Sequence, residues 1–185
     1  MSMNSMSNAP KFVLGAILVA IVIIGRLIPH PWNMTPVSAA AIFAGVHIGK
    51  RAAIFVPLFG MLIGDMFLGF YSLPLLLVVY LSMIAAGLLA YGTRNEHGVG
   101  MFIARPIAAA TLFYLATNAA VWMFGVAYPH TFSGLLAAYV AGIPFFGPQV
   151  LGDVLYVGLF FGFYAWVTKY SCAFHSLRGT LLRAR

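Results

Sequence analysis

From Phe12 to Val167 the chain is a series of apolar runs, each near the length of a membrane crossing, separated by short polar or proline-rich breaks. A helix that crosses a bilayer needs roughly 20 apolar residues, within about 17–25. Only 7% of the 185 residues are charged and 63% are apolar, whereas a soluble domain carries roughly 25% charged residues. Such a chain cannot cover its own surface in water. Soluble enzymes, nucleic-acid binders and disordered proteins are thereby excluded. Ten Lys and Arg against three Asp and Glu give a net +7, but these charges stand singly between apolar runs and form no nucleic-acid footprint. The single cysteine, Cys172, excludes a disulfide scaffold and a cysteine-cluster metal site. The expected class is an all-α integral membrane protein of one domain.

The runs fall at about 12–28, 37–49, 52–70, 75–91, 103–124 and 150–167. Residues 1–11 read as a polar N-terminus and 169–185 as a basic tail. The first run lacks the basic approach and small-residue cleavage site of a signal peptide, so it is read as a retained helix. Residues 127–149 carry prolines at 129, 144 and 148. They are expected to form an outer loop with a half-helix cap over 132–141, because irregular backbone is tolerated at membrane depth only against protein or a cavity. The result is a six-transmembrane-helix bundle. A seventh crossing within 127–149 is the alternative.

Six crossings put both termini on one side. Lys11, Lys50, Arg51, Arg94, Arg105, Lys169, Arg178, Arg183 and Arg185 then share that side, and Arg26 alone falls toward the other. The positive-inside rule makes the shared side cytoplasmic, in what is expected to be a bacterial inner membrane. The outer loops hold His30, Trp32, Asn33, Met34, Tyr71 and His130 among prolines and aromatics. An interfacial belt would use such aromatics too, but as a group they suggest a shaped, outward-facing surface.

Counting along each helix from its inner basic residue gives a second signal. At about 1.5 Å per residue, Arg26, Asp65, Asn118 and Asp153 lie roughly 20–24 Å from Lys11, Arg51, Arg105 and Lys169. They are expected to share one polar layer. Ionisable groups at such depth are costly and face the bundle interior, usually paired. One arginine cannot neutralise two aspartates, so Asp65 and Asp153 are expected to differ in role. A pairing that merely ties helices together is the plainer reading of Arg26, Asp65 and Asp153.

Other motifs fail on inspection. The segment 45–51 has neither the spacing nor the Ser/Thr of a phosphate loop, so any use of ATP must come from a partner. No nucleophile elbow or zinc-protease motif is present, and Leu62 breaks the Gly-x-Gly-Asp of intramembrane proteases. The protein is expected not to be an enzyme. Small residues recur one turn apart at Ala16/Ala20, Ala40/Ala44, Ala86/Ala90 and Gly158/Gly162, a spacing that permits close helix approach.

Three stretches carry a resemblance. They are Arg26-Leu27-Ile28-Pro29-His30-Pro31 with Asn33-Met34-Thr35-Pro36-Val37, then Val56-Pro57-Leu58 through Gly64-Asp65 to Tyr71, then Thr117-Asn118 and Trp122 with Ile143-Pro144-Phe145-Phe146 to Gly152-Asp153. Together they resemble the S-components of energy-coupling-factor (ECF) vitamin transporters, nearest to the solitary vitamin B12 (cobalamin) group, over about residues 12–168. The resemblance implies a vitamin-like substrate bound from outside, cobalamin first, with no permanently bound cofactor. It also implies an ECF coupling subunit and ATPases as partners, docking at Ala16 and Ala20. The B12-type relatives use a pocket cysteine near cobalt, but Cys172 lies beyond the last helix. Cobalt contact then falls to His30, with His130 or Met34 as alternatives, and no resident metal is expected. Substrate-binding residues on this reading are His30, Trp32, Asn33, Met34, Tyr71, Asn118, Trp122, His130 and Asp153. Two rivals remain: an ion-coupled carrier using Asp65 or Asp153, and a structural membrane protein without ligand.

Overall fold

Residues 8–31, 33–96 and 98–183 are described by a computed structural model, with side chains described within 9–169. The chain forms α1 (Asn8–Leu27), α2 (Val37–Phe43) continued by a π-helical turn (Ala44–Ile48), α3 (Lys50–Leu68), α4 (Leu73–Gly92), α5 (Val99–Phe124) and α6 (Phe132–Arg183). No strand occurs among the described residues. All but α2 are long and apolar enough to cross a membrane.

The helices run alternately up and down. Arg26, near the end of α1, meets Asp65, near the end of α3, and Tyr80 in the first half of α4 reaches the same carboxylate. The end of the bundle bearing these groups is called upper below. At its centre lies α2, every residue of which is buried. Its sequence, Val-Ser-Ala-Ala-Ala-Ile-Phe, is apolar almost all round, the pattern of a helix enclosed on every side. Small alanines let α1, α3, α4, α5 and α6 all pack against it. The faces turned away from this centre are equally apolar. Phe12, Leu81 and Phe163 are more than 60% exposed, as helices bathed in lipid require.

Two sequence expectations are corrected here. The stretch 127–149 is no loop with a separate half-helix: from Phe132 onward it is the first part of α6, and no break precedes residue 150. Pro144 and Pro148 each remove one helical hydrogen bond, yet membrane helices tolerate proline where neighbouring helices support the backbone. Here α5 packs against α6 and is tied to it just before the first of these prolines. The Tyr114 hydroxyl donates to the Tyr139 carbonyl (2.6 Å) and the Tyr139 hydroxyl to the Leu115 carbonyl (3.1 Å). At about 1.5 Å per residue, α6 is roughly 78 Å long and outruns a hydrocarbon core of about 30 Å. The tail expected from residue 169 is therefore the helix's continuation.

Secondly, basic residues are poor markers of helix ends in this chain. Between α2 and α3 the boundary is not set by Lys50 and Arg51. The break is Gly49, at φ 133°, and the two cations open α3. Arg105 is not at the start of α5, which begins at Val99, and it is buried. Its guanidinium donates to the carbonyls of Thr93 (2.5 Å) and Glu96 (2.9 Å) and to Thr93 Oγ1 (3.1 Å). Arg105 thus pins the α4–α5 loop. Hydrogen bonds from a charged donor contribute about 1.5–3 kcal/mol, so Arg105→Met is expected to cost about 2–3 kcal/mol and to speed tryptic cleavage at Arg94. Unchanged melting and cleavage would remove this role.

Candidate functional site

Three of the four residues expected in the polar layer do come together at the upper end. Arg26 forms a salt bridge with Asp65 Oδ1, and the Tyr80 hydroxyl donates to Asp65 Oδ2 at 2.7 Å. Gly64, beside Asp65, makes room for the arginine. A Cβ there would stand 2.8 Å from Arg26 Nε. Both oxygens of the Asp65 carboxylate are therefore satisfied from α1 and α4.

Asp153 is held differently. It is 1% exposed. Ser38 Oγ, in the first turn of α2, donates to its Oδ1, while Oδ2 has no hydrogen-bond partner. No cation pairs with it among the described residues. The expectation that the two aspartates differ in role therefore has a structural counterpart.

Asp153 lines a cavity of about 210 Å³. Its polar wall includes Arg26, His30, Asn33, Thr35, Ser38 and Gln149. Its apolar wall includes Val37, Met61, Leu68, Val79, Met83 and Phe113. A neighbouring cavity of about 150 Å³ shares Asn33, Phe113 and Gln149 with it and extends to Asn118 and Phe146.

Asn118 therefore does not belong to the Asp153 layer, a second correction to the depth count. It lies against Gly142, eleven residues up α6 from Asp153, or about 16 Å along the helix. Arg105 stands six residues inside α5 rather than at its start, so a count from it begins about 9 Å too far along the helix. The Asn118 amide donates to the Tyr114 carbonyl (2.8 Å) and borders the second cavity only.

The remaining expected residues scatter. His30 reaches the first cavity and its Nδ1 lies 2.9 Å from the Pro31 carbonyl oxygen. Asn33, at φ 59°, lines both cavities. Met34 packs against Gly152, next to Asp153 but outside the cavity lining. Trp32 lies outside the described residues. Tyr71 stands in the α3–α4 loop near the Arg26–Asp65 pair. Burial, reinforced by the Asp65 carboxylate and opposed by Arg26, pushes its phenol up to about 12, so it remains a neutral donor in ordinary buffers. Trp122 and His130 pair with each other instead: Trp122 Nε1 donates to the Pro129 carbonyl (3.0 Å), and the two rings meet edge-on at 5.9 Å. They close the α5–α6 turn away from both cavities. Ala16 and Ala20 are exposed on α1. Among the described residues no three His, Cys, Asp or Glu side chains converge to hold a metal ion.

Ser38, Gln149, Tyr80 and Phe113 were not singled out from sequence. Gln149 had a readable signal, since it stands four residues before Asp153 and such pairs share a helix face. Ser38 had a fainter one, as the one polar residue among the otherwise apolar residues of α2.

Fold and site together define a membrane-embedded helical bundle with a polar cavity at the end where α1 and α3 terminate. Residues 6–175 match the family of unknown function DUF6580, and the chain belongs to it. No curated protein and no solved structure matches the chain.

Proposed function

We propose that this protein is the substrate-binding and translocating subunit of an uptake system for a small, vitamin-like molecule. The observation that carries the reading is the half-open cavity with a buried acid that no protein cation neutralises. Ligand sites combine apolar walls with a few placed polar groups, and this cavity has that make-up. On this reading the upper end faces outward in a bacterial inner membrane, and both termini are cytoplasmic. With no nucleotide motif of its own, the chain draws energy from an ECF-type coupling subunit and its ATPases, docked on α1 at Ala16 and Ala20. The subunit binds and carries, without catalysing a reaction.

The volume bears on the substrate. A cavity of about 210 Å³ is below the roughly 300–1,000 Å³ common for drug-sized ligands and far below the size of a corrin ring with its side arms. The reading therefore favours a cargo smaller than cobalamin. Cobalamin enters only if the α5–α6 hairpin and the His30 loop part, and then His30 is the side chain placed to meet its cobalt. The cavity also suits a second reading, an ion-coupled carrier, because Asp153 lacks a cation. Uptake that collapses with the proton gradient in cells lacking coupling ATPases would favour the carrier.

The test is ligand binding by the intact protein in lipid nanodiscs, across water-soluble vitamins including cobalamin. A ligand of the native state at a hundred times its Kd stabilises by about 2.7 kcal/mol, a readily measured rise in melting temperature. Val79→Phe, which fills the cavity wall, is expected to abolish the rise. A panel that leaves the melting temperature untouched throughout would remove the binding reading.

A further inference from the structure

Within the reading of this cavity as a solute site, we infer that its occupant is a small organic cation bearing N–H groups on an apolar body. Asp153 presents an acceptor oxygen with no partner, on a side chain almost wholly removed from solvent. Burying a carboxylate oxygen without a donor is costly, and the protein offers Oδ2 none. The arginine that lines the cavity pairs its charge with Asp65 through Nη2, although its Nε has no hydrogen-bond partner of its own. Arg105 is engaged by the carbonyls of the α4–α5 loop. His30, the remaining basic group of the lining, is exposed and held to its own loop at Pro31. On this inference the partner that Oδ2 lacks arrives with the ligand.

The walls narrow the chemistry further. A bare metal ion needs several oxygen donors at close range, whereas this space is bordered by Met61, Met83, Val79 and Phe113 as well as by polar groups. An organic body fills that apolar half. An aromatic face attracts a desolvated cation, and thioether sulfurs pack well against aromatic rings. An N–H cation is preferred over a quaternary one because Oδ2 lacks a hydrogen bond, and charge-assisted hydrogen bonds are the strong ones. Amines, amidines and protonated aminopyrimidines meet this description. A neutral molecule of equal size can supply a donor but not the charge, and a carboxylate anion supplies neither.

The test uses 2-phenylethylamine, the neutral 2-phenylethanol and the anionic phenylacetate, with the full-length protein in nanodiscs and protein-free nanodiscs as the blank. The amine is expected to bind at least about tenfold more tightly than the alcohol, the ratio that one charge-assisted hydrogen bond supplies, and phenylacetate more weakly still. Asp153→Asn should bring amine and alcohol together, and Val79→Phe should abolish amine binding. The ranking within the wild-type chain stands whether or not the Asn variant accumulates. Equal or better binding of the alcohol or the acid overturns the cation inference and leaves the uptake reading standing, as does a neutral vitamin bound where the amine is not. If neither these probes nor any vitamin binds, both fall.

Discussion

Asp65→Ala is expected to cost this protein about 3 kcal/mol, while Asp153→Asn leaves its stability within about 1 kcal/mol of the wild type. The two residues are both aspartates, both 1% exposed, and both preceded by glycine. The difference lies in what each compensates. Removing Asp65 strands the Arg26 guanidinium and deprives the Tyr80 hydroxyl of its acceptor. Breaking one side of a buried ion pair costs about 3–5 kcal/mol, and the lower end applies because Arg26 is 15% exposed. Asp153 neutralises nothing. Its amide isostere still accepts from Ser38 and removes a buried charge that no protein cation pairs with. Reversible unfolding in bicelles measures both. The joint replacement Arg26→Met with Asp65→Leu is expected to recover most of the loss, since apolar substitutes for a buried pair are often neutral. Equal losses for Asp65→Ala and Asp153→Asn would mean that both aspartates serve only to hold helices together.

Much of this architecture was legible in the sequence because lipid imposes a coarse rule, namely long apolar runs with polar breaks. That rule located six helical segments, but it counted the second, Val37–Ile48, as a crossing although it is too short to be one. It failed at 127–149, where prolines read as breaks were absorbed into α6 by support from α5. Sequence does not announce such support, because it comes from packing against α5, whose ties to α6 through Tyr114 and Tyr139 look ordinary in isolation. The depth count found Arg26, Asp65 and Asp153 because each sits on a helix whose chosen origin was adequate. It misplaced Asn118 because Arg105 belongs to a loop clamp. The small-residue spacing illustrates a deeper limit. Ala40, Ala44, Ala86 and Ala90 are all buried at helix contacts, whereas Ala16, Ala20, Gly158 and Gly162 have the same spacing and face outward. In a bilayer the partner helix and the lipid are alike apolar, so spacing alone cannot tell which face meets protein. The cavity was half legible for the same reason. Its charged floor stood out, but its walls are Met, Val and Phe like everything around them.

Gly87→Val is expected to be the other most damaging single change, at about 3 kcal/mol or more. Gly87 on α4 lies where three backbones meet. A Cβ placed on it would stand 2.5 Å from the Ala53 carbonyl oxygen of α3 and 3.1 Å from that of Ala41 on α2, and a Cβ on Gly45 would run into the Gly87 carbonyl itself. The obstacles are backbone atoms, which cannot rotate aside as a side chain can. Overpacking a tight core costs about 1–3 kcal/mol, so Gly87→Ala should fall in that range and the branched valine at or above its top. Gly158→Ala is the control. Nothing lies within 4 Å of its added Cβ, and replacing an interior helical glycine by alanine gains about 0.5–1 kcal/mol, so the sign should reverse. The consequence reaches the cavity, because α2 carries Ser38 while α4 carries Val79 and Met83. Forcing these helices apart should weaken binding of whatever ligand the wild type takes, in step with the loss of stability. Measuring melting temperature and ligand affinity across Gly87→Ala, Gly87→Val and Gly158→Ala tests both links. Full stability in Gly87→Val would show that α2 and α4 are not held at the close approach on which the shape of the cavity depends.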